Sequence, residues 1–206
     1  MTESRNSKLV SVIVISHDKY KNLLKTALRS LRAQSKTRFE VIVEENNDGR
    51  TLAKACNDAI KRSNGDYIVR LDADDFVDGK LVELESAFLE ENPGVDAVWC
   101  DYWKTHPKKG EGFETHYLEH SPQETLEHAC GAMFRRSAWS KLGGYDEALR
   151  FQEAFDFWLR FKKAGLVAHH MSQPLYFYRQ HPGSMSTNHA EKMQTRREIL
   201  EKHDAL

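Results

Sequence analysis

Asn64-Gly65-Asp66-Tyr67-Ile68-Val69-Arg70-Leu71-Asp72-Ala73-Asp74-Asp75 runs from a turn, through five residues of strand character, into a cluster of carboxylates. Upstream, residues 9–15 (Leu9-Val10-Ser11-Val12-Ile13-Val14-Ile15) are β-branched and almost continuously apolar, the pattern of a strand buried on both faces. Residues 39–43 (Phe39-Glu40-Val41-Ile42-Val43) predict another strand. Between these strands, residues 20–33 carry Leu23, Leu24, Ala27, Leu28 and Leu31 at helical spacing. Residues 51–63 predict a second helix with Thr51 as its N-cap. Strand, helix, strand, helix, strand with short connections predicts an α/β fold. Its sheet is mainly parallel and Rossmann-like, flanked by helices and joined by right-handed crossovers.

Such sheets bind ligands just beyond the carboxyl ends of their strands. Here those ends carry Ser16, His17 and Asp18, then Glu44, Glu45, Asn46, Asn47 and Asp48, then Asp72, Ala73, Asp74 and Asp75. Asn, Asp and Gly favour turns after strands, and that alone accounts for residues 46–49. It accounts less well for Asp72, Asp74 and Asp75, because carboxylates so close repel unless a cation or hydrogen-bond donors offset them. Hard oxygens in this arrangement suit Mg²⁺ or Mn²⁺, often completed by phosphate oxygens and water.

The rest of the composition narrows the class. The chain has 206 residues, with 30 Lys and Arg against 31 Asp and Glu, so its net charge is -1. That balance argues against a general nucleic-acid binder, which needs a basic surface. Cys56, Cys100 and Cys130 are widely spaced and form no CxxC pair, so no zinc ribbon or disulfide framework is indicated. Residues 1–8 carry no apolar run of signal-peptide length, and the longest apolar run, residues 12–15, is too short to span a bilayer. The expectation is a cytoplasmic protein, with peripheral contact at the inner face of the membrane or with a partner protein left open.

Downstream, residues 80–91 predict a helix ended by Asn92-Pro93-Gly94, and residues 95–103 a strand at the edge of the first half. Residues 104–124 are polar and without period, which reads as a long loop. Residues 130–135 predict a strand and 137–142 a short helix stopped by Gly143-Gly144. Residues 153–164 predict an amphipathic helix with Phe157, Trp158 and Phe161 inward; 167–179 read as extended and 190–203 as a charged terminal helix. The expected organisation is a single domain over 1–206. Its first half covers about 9–103, its short second half about 104–187, and its terminal helix about 188–206.

The ordered series resembles the core of family 2 glycosyltransferases of the GT-A fold. Residues 53–75 resemble that family's A-x-N helix, G-D-Y-I strand and L-D-A-D-D motif, and Ala27-Leu28-Arg29-Ser30-Leu31-Arg32-Ala33-Gln34 its A-L-x-S-L-x-x-Q helix. Leu142-Gly143-Gly144-Tyr145-Asp146, then Asp156-Phe157-Trp158-Leu159-Arg160, then Tyr178-Arg179-Gln180-His181-Pro182-Gly183-Ser184-Met185-Ser186 follow in the family's order. The resemblance covers roughly residues 9–186.

It implies an inverting transfer from a nucleoside-diphosphate sugar, with uridine as the expected base, to a hydroxyl of a glycan or lipid-linked sugar. In that reading Ser16, His17, Asp18, Glu44, Glu45, Arg70, Asp72, Ala73 and Asp74 hold the donor, and Asp72, Asp74 and His181 hold Mn²⁺ or Mg²⁺. His181 is otherwise a histidine that orders its loop beside Pro182. Glu44 and Glu45 stand where the family usually has two Asp, and Ser16-His17-Asp18 departs from its usual first loop. The sharpest departure is Ala154, at the position of the expected general base. Glu153 and Asp156 are the carboxylates able to replace it, while Glu153 also reads as a first-turn residue stabilising the helix dipole. Ala154 motivates the alternative of a weakly active or inactive nucleotide-sugar-binding module that acts with a partner. A nucleotidyltransferase is less favoured, because the first loop lacks a Gly-rich basic run to cradle a triphosphate.

Overall fold

The computed structural model describes residues 7–36, 38–107, 113–118, 131–181 and 189–204. At its centre lies β1 (Val10–Ser16), buried along its whole length. It pairs in parallel with β2 (Phe39–Glu45) on one side and β3 (Tyr67–Asp72) on the other, with Ile15 opposite both Glu44 and Asp72. The carboxyl ends of the three strands therefore emerge together at one edge of the sheet.

Side-chain alternation along β1 explains why both faces need helices. Val10, Val12 and Val14 pack into one core with Ala27 and Leu31 of α1 (Lys21–Arg32) and Leu81, Val82 and Leu89 of α3 (Leu81–Glu91). Ile13 and Ile15 face the other core. There they meet Ala53, Cys56 and Ile60 of α2 (Leu52–Arg62) and Phe157, Trp158 and Phe161 of a later helix, α5 (Glu153–Lys163). The Thr51 hydroxyl caps α2 as expected, accepting from the Lys54 amide at 3.2 Å.

Beyond β3 the sheet is mixed, with antiparallel strands joined to the parallel ones. After the short β4 (Phe76–Val77) and α3 come β5 (Ala97–Pro107), β6 (Phe113–Leu118), β7 (Met133–Arg135) and β8 (Ala168–Arg179). The order is β2-β1-β3-β7-β5-β8-β4, with β6 on β5. β7 runs antiparallel to β3 and β5, β4 antiparallel to β8, and β5 parallel to β8. β5 is thus interior rather than an edge strand. The expected loop over 104–124 is instead partly a hairpin, with Tyr102 opposite Leu118 and His106 opposite Glu114. Cys130 and residues 108–112, 119–129 and 182–188 lie outside the described residues.

Two further helices complete the fold. α4 (Arg136–Leu142) stops at Gly143, whose φ of 72° is the left-handed cap that glycine favours. α6 (His189–Asp204) is the terminal helix. Among the described residues, no helix is long and apolar enough to cross a membrane.

Candidate active site

A cavity of about 360 Å³ opens at the joint carboxyl edge of β1 and β3. Ser16, His17, Arg70, Asp72, Asp74 and Glu153 line it, so residues far apart in sequence converge as the strand order implies. Arg70 organises its floor. Its Nε and Nη2 donate to the two carboxylate oxygens of Asp72 at 2.9 and 3.1 Å, and its Nη1 donates to Oε1 of Glu153 at 2.8 Å. Burial works against the charge of Arg70, but the neighbouring Asp72 and Glu153 carboxylates outweigh it and hold its pKa well above the usual value. Beneath it, burial pushes the Cys56 thiol up to about 12, so this cysteine is an inert packing group.

The tight turn after β3 separates three carboxylates by environment. Asp75 is fully buried and accepts from the Tyr176 hydroxyl and the Arg179 amide, both at 2.7 Å. Burial, with the negative charge of Asp74 and Asp72, pushes its pKa well above the ordinary carboxylate range. It fastens β8 to the site. Asp74 faces the cavity, and its Oδ2 lies 3.0 Å from Nε2 of His181. Burial and the nearby Asp72 raise the Asp74 pKa, while the hydrogen bond with His181 opposes that rise. His181 is held edge-on to Tyr20, with ring centroids 5.5 Å apart.

Among the described residues, no group of three or more His, Cys, Asp and Glu side chains is gathered to hold a metal alone. Asp72 is engaged by Arg70, leaving Asp74 and His181 as neighbouring donors. Two ligands bound at right angles to one small cation stand about 3 Å apart, so this oxygen and nitrogen pair fits an ion completed by diphosphate oxygens and water.

Other predicted site residues stand elsewhere. Ala73 is buried and contributes only its amide, bonded to the Ile15 carbonyl at 3.2 Å. Glu44 is buried and ion-paired with Arg50 and Arg62, which leaves it occupied within the protein. Glu45 is exposed at the end of β2, and Asp18 pairs with Lys21 at 2.7 Å on the surface. None of these four lines the cavity.

Asp156 is also outside the cavity wall. It is fully buried on α5, accepting from Arg160 Nε at 2.8 Å and lying 2.9 Å from His203 Nε2. Arg160 in turn donates to the carbonyls of Leu142 and Gly144 at 2.8 and 2.9 Å, closing the end of α4. Glu153 is thus the carboxylate of α5 that reaches the cavity, with Ala154 beside it in the wall.

The approach to Glu153 is built firmly. Asn57 Nδ2 donates to the Tyr145 carbonyl and its Oδ1 accepts from the Tyr145 amide, both at 2.9 Å. Gly144 sits there at φ 82°, and a Cβ would stand 2.7 Å from Asn57 Oδ1, so only glycine fits. Gln152, immediately before α5, has φ 62° and is the one non-glycine residue with positive φ among the described residues. Sequence reasoning missed Gln152, as well as Asn46, Tyr178, Arg150 and Lys192 in the cavity wall. Asn46 had a signal as part of the turn cluster after β2, and Tyr178 as the first residue of the segment 178–186.

Residues 43–143 match the family model described as glycosyl transferase family 2. An uncharacterized glycosyltransferase of Haemophilus influenzae is 25% identical over 205 residues, covering 82% of this chain and 67% of its own length. The crystal structure of S. aureus TarS 1-349 in complex with UDP-GlcNAc superposes with a TM-score of 0.70 at 16% identity. It covers 87% of this chain, which spans 60% of that one. A Pyrobaculum calidifontis mannosyltransferase in complex with GDP-Man and Mn²⁺ superposes with a TM-score of 0.61 at 18% identity, over 84% of this chain and 57% of that one. The chain has the α/β architecture of GT-A enzymes, and the matched segment and relatives make it similar to glycosyltransferase family 2.

Proposed function

We propose that this chain transfers a sugar, with inversion, from a nucleoside-diphosphate donor to a hydroxyl acceptor. The observation that carries the reading is one cavity at the strand ends lined by the Arg70–Glu153 pair and by Asp74, whose carboxylate meets His181. Residues 9–103 form the donor half and 104–187 the acceptor half in this reading. Asn46 Oδ1 is buried in the cavity wall with no hydrogen-bond partner among the described residues, an acceptor suited to a base N–H. Uridine is the base we expect, and the UDP-GlcNAc bound by TarS supports that choice.

Asp74 and His181 would hold Mn²⁺ or Mg²⁺, which neutralises charge on the leaving diphosphate when bound. Glu153 takes the proton of the acceptor hydroxyl. The acceptor oxygen forms a bond to the anomeric carbon as the bond to the diphosphate oxygen breaks on the opposite side. The electron pair leaves with the nucleoside diphosphate, and the configuration inverts. Arg70 orients Glu153 and holds Asp72 beside the donor.

One observation favours a second reading. Ala154 stands beside Glu153 in the cavity wall, and the Glu153 carboxylate is engaged by Arg70, which suits a module that binds nucleotide sugar without efficient transfer.

Calorimetric titration of UDP, GDP and dTDP with and without Mn²⁺, with Asp74→Ala as control, tests the donor site. The expected result is metal-dependent binding of one nucleotide, lost in the variant. Absence of nucleotide binding to folded protein refutes the reading. Tight donor binding with neither transfer nor donor hydrolysis selects the binding module.

A further inference from the structure

Two cations of the cavity wall, Arg150 and Lys192, have no role in the donor reading above. Arg150 precedes Glu153 by three residues on the segment entering α5, and Lys192 lies near the start of α6. The other cations there are engaged. Arg50 pairs with Glu44, Asp48 and Asp58, Arg70 with Asp72 and Glu153, and Lys19 lies over the Tyr20 ring at 4.6 Å. Neither Arg150 nor Lys192 forms an ion pair among the described residues.

Lys192 is brought to the cavity by a docked helix rather than a loose tail. His203 meets buried Asp156 at 2.9 Å, Lys202 meets Asp146 at 2.8 Å, and the Lys163 ammonium donates to the His203 carbonyl. Ile199 is buried, and the Arg196 guanidinium lies 4.4 Å from the centre of the Phe155 ring. These contacts tie α6 to α5 and the turn before it. α5 is the helix that carries Glu153.

A second hollow of about 480 Å³ shares Arg150 and Phe151 with the first and runs along α6 past Gln194 and Thr195. Glu191 and Glu198 also line that hollow, so along α6 it is acidic beyond Arg150. Arg150 therefore stands where the two hollows meet, and Lys192 stands in the wall of the first, which Glu153 also lines.

We infer that Arg150 and Lys192 bind a phosphate group carried by the acceptor, whose remainder leaves along the groove beside α6. The inference rests on the glycosyl-transfer reading, because that reading makes the Glu153 side the acceptor side. A guanidinium fork and an ammonium from separate elements suit the several oxygens of a phosphate better than a single neutral hydroxyl.

The test is calorimetric titration of the full chain, with and without UDP, using glucose 6-phosphate and geranyl phosphate. Glucose and geraniol serve as neutral counterparts and glucuronate as a carboxylate. The variants are Arg150→Gln, Lys192→Gln and Lys192→Arg. At least one phosphate compound is expected to bind about tenfold or more tightly than its neutral counterpart. Which one binds tells a soluble sugar phosphate from a lipid phosphate. Each Gln variant should lose most of that preference, and Lys192→Arg should keep it, with UDP affinity and melting temperature unchanged in all three.

No phosphate preference, a preference for glucuronate, or an equal loss of UDP and phosphate affinity in the Gln variants overturns the inference. The last result would assign both cations to the donor diphosphate. If UDP itself fails to bind the wild-type chain, the donor-site reading fails. The titrations without nucleotide still decide the phosphate site, which stands if the preference is present and falls if it is absent.

Discussion

Nη1 of Arg70 lies 2.8 Å from Oε1 of Glu153, so the end of β3 and the first turn of α5 share one charged contact across 83 positions of sequence. The same guanidinium forks to Asp72. Arg70→Gln leaves two carboxylates without their cation, one of them buried. Removing one partner of a buried pair typically costs about 3–5 kcal/mol, and a loss near the lower end is expected in urea denaturation because Asp72 is partly exposed. Arg70→Lys should recover only part of the stability and of the transfer rate, since one ammonium cannot fork to Asp72 while reaching Glu153. Full recovery by lysine would show that only the charge matters.

Glu85 on α3 is fully buried, and both its carboxyl oxygens lack a hydrogen-bond partner of normal geometry among the described residues. Burial pushes its pKa well above the ordinary value of 4.5, with the nearby Cys100 thiol opposing that shift only in part. The folded protein therefore keeps a proton that the unfolded chain releases above about pH 4.5. Stability from this group is complete below that pH and falls as pH rises toward the raised folded value. Glu85→Gln should remove that slope and stabilise the protein at pH 7 by about 1 kcal/mol or more. Thermal melts of both proteins from pH 5 to pH 8 check this, and parallel pH profiles would refute it.

The elements that proved legible are those whose local pattern and tertiary role agree. β1 and β3 carry mostly buried apolar runs, Thr51 caps its own helix, and Gly143 ends α4 in the conformation that glycine favours. The hairpin of β5 and β6 escaped because residues 114–117 are exposed and offer no apolar alternation; pairing with β5 makes them a strand. Within the site, strand ends were readable because connectivity alone brings them together. The engagement of Glu44 by Arg50 and Arg62, and of Asp156 by His203, was not readable. A carboxylate in a sequence carries no sign of which distant cation will meet it. Lys192 had no local signal at all, since only the docking of α6 places it in the cavity wall.

His203→Ala tests that docking. Asp156 would keep Arg160 but lose its other partner inside a buried contact, at a cost of about 1–3 kcal/mol. Hydrogen exchange should show α6 losing protection while the amides of β1 and β3 keep theirs. Unchanged protection over residues 189–204 would mean that Ile199 and the Lys202–Asp146 pair suffice to hold the helix.

Gln152 holds a left-handed backbone directly before Glu153, with its own carbonyl accepting from the Asp156 amide at 3.0 Å. A non-glycine residue there carries a penalty of about 1–2 kcal/mol. Replacement by glycine removes that penalty but adds about 0.5–1 kcal/mol of unfolded-state entropy, so Gln152→Gly should stabilise the fold by no more than about 1.5 kcal/mol. The strain is retained at a wall of the cavity, where the backbone sets the direction in which Glu153 enters. The same variant should therefore lower the transfer rate while leaving nucleotide affinity intact, because the proposed donor contacts come from β1, β3 and the turns after the strands rather than from residue 152. Gln152→Asn, which tolerates the left-handed region and keeps an amide, should restore the rate. A glycine variant that is both more stable and equally active would show that the strained turn has no part in aiming Glu153.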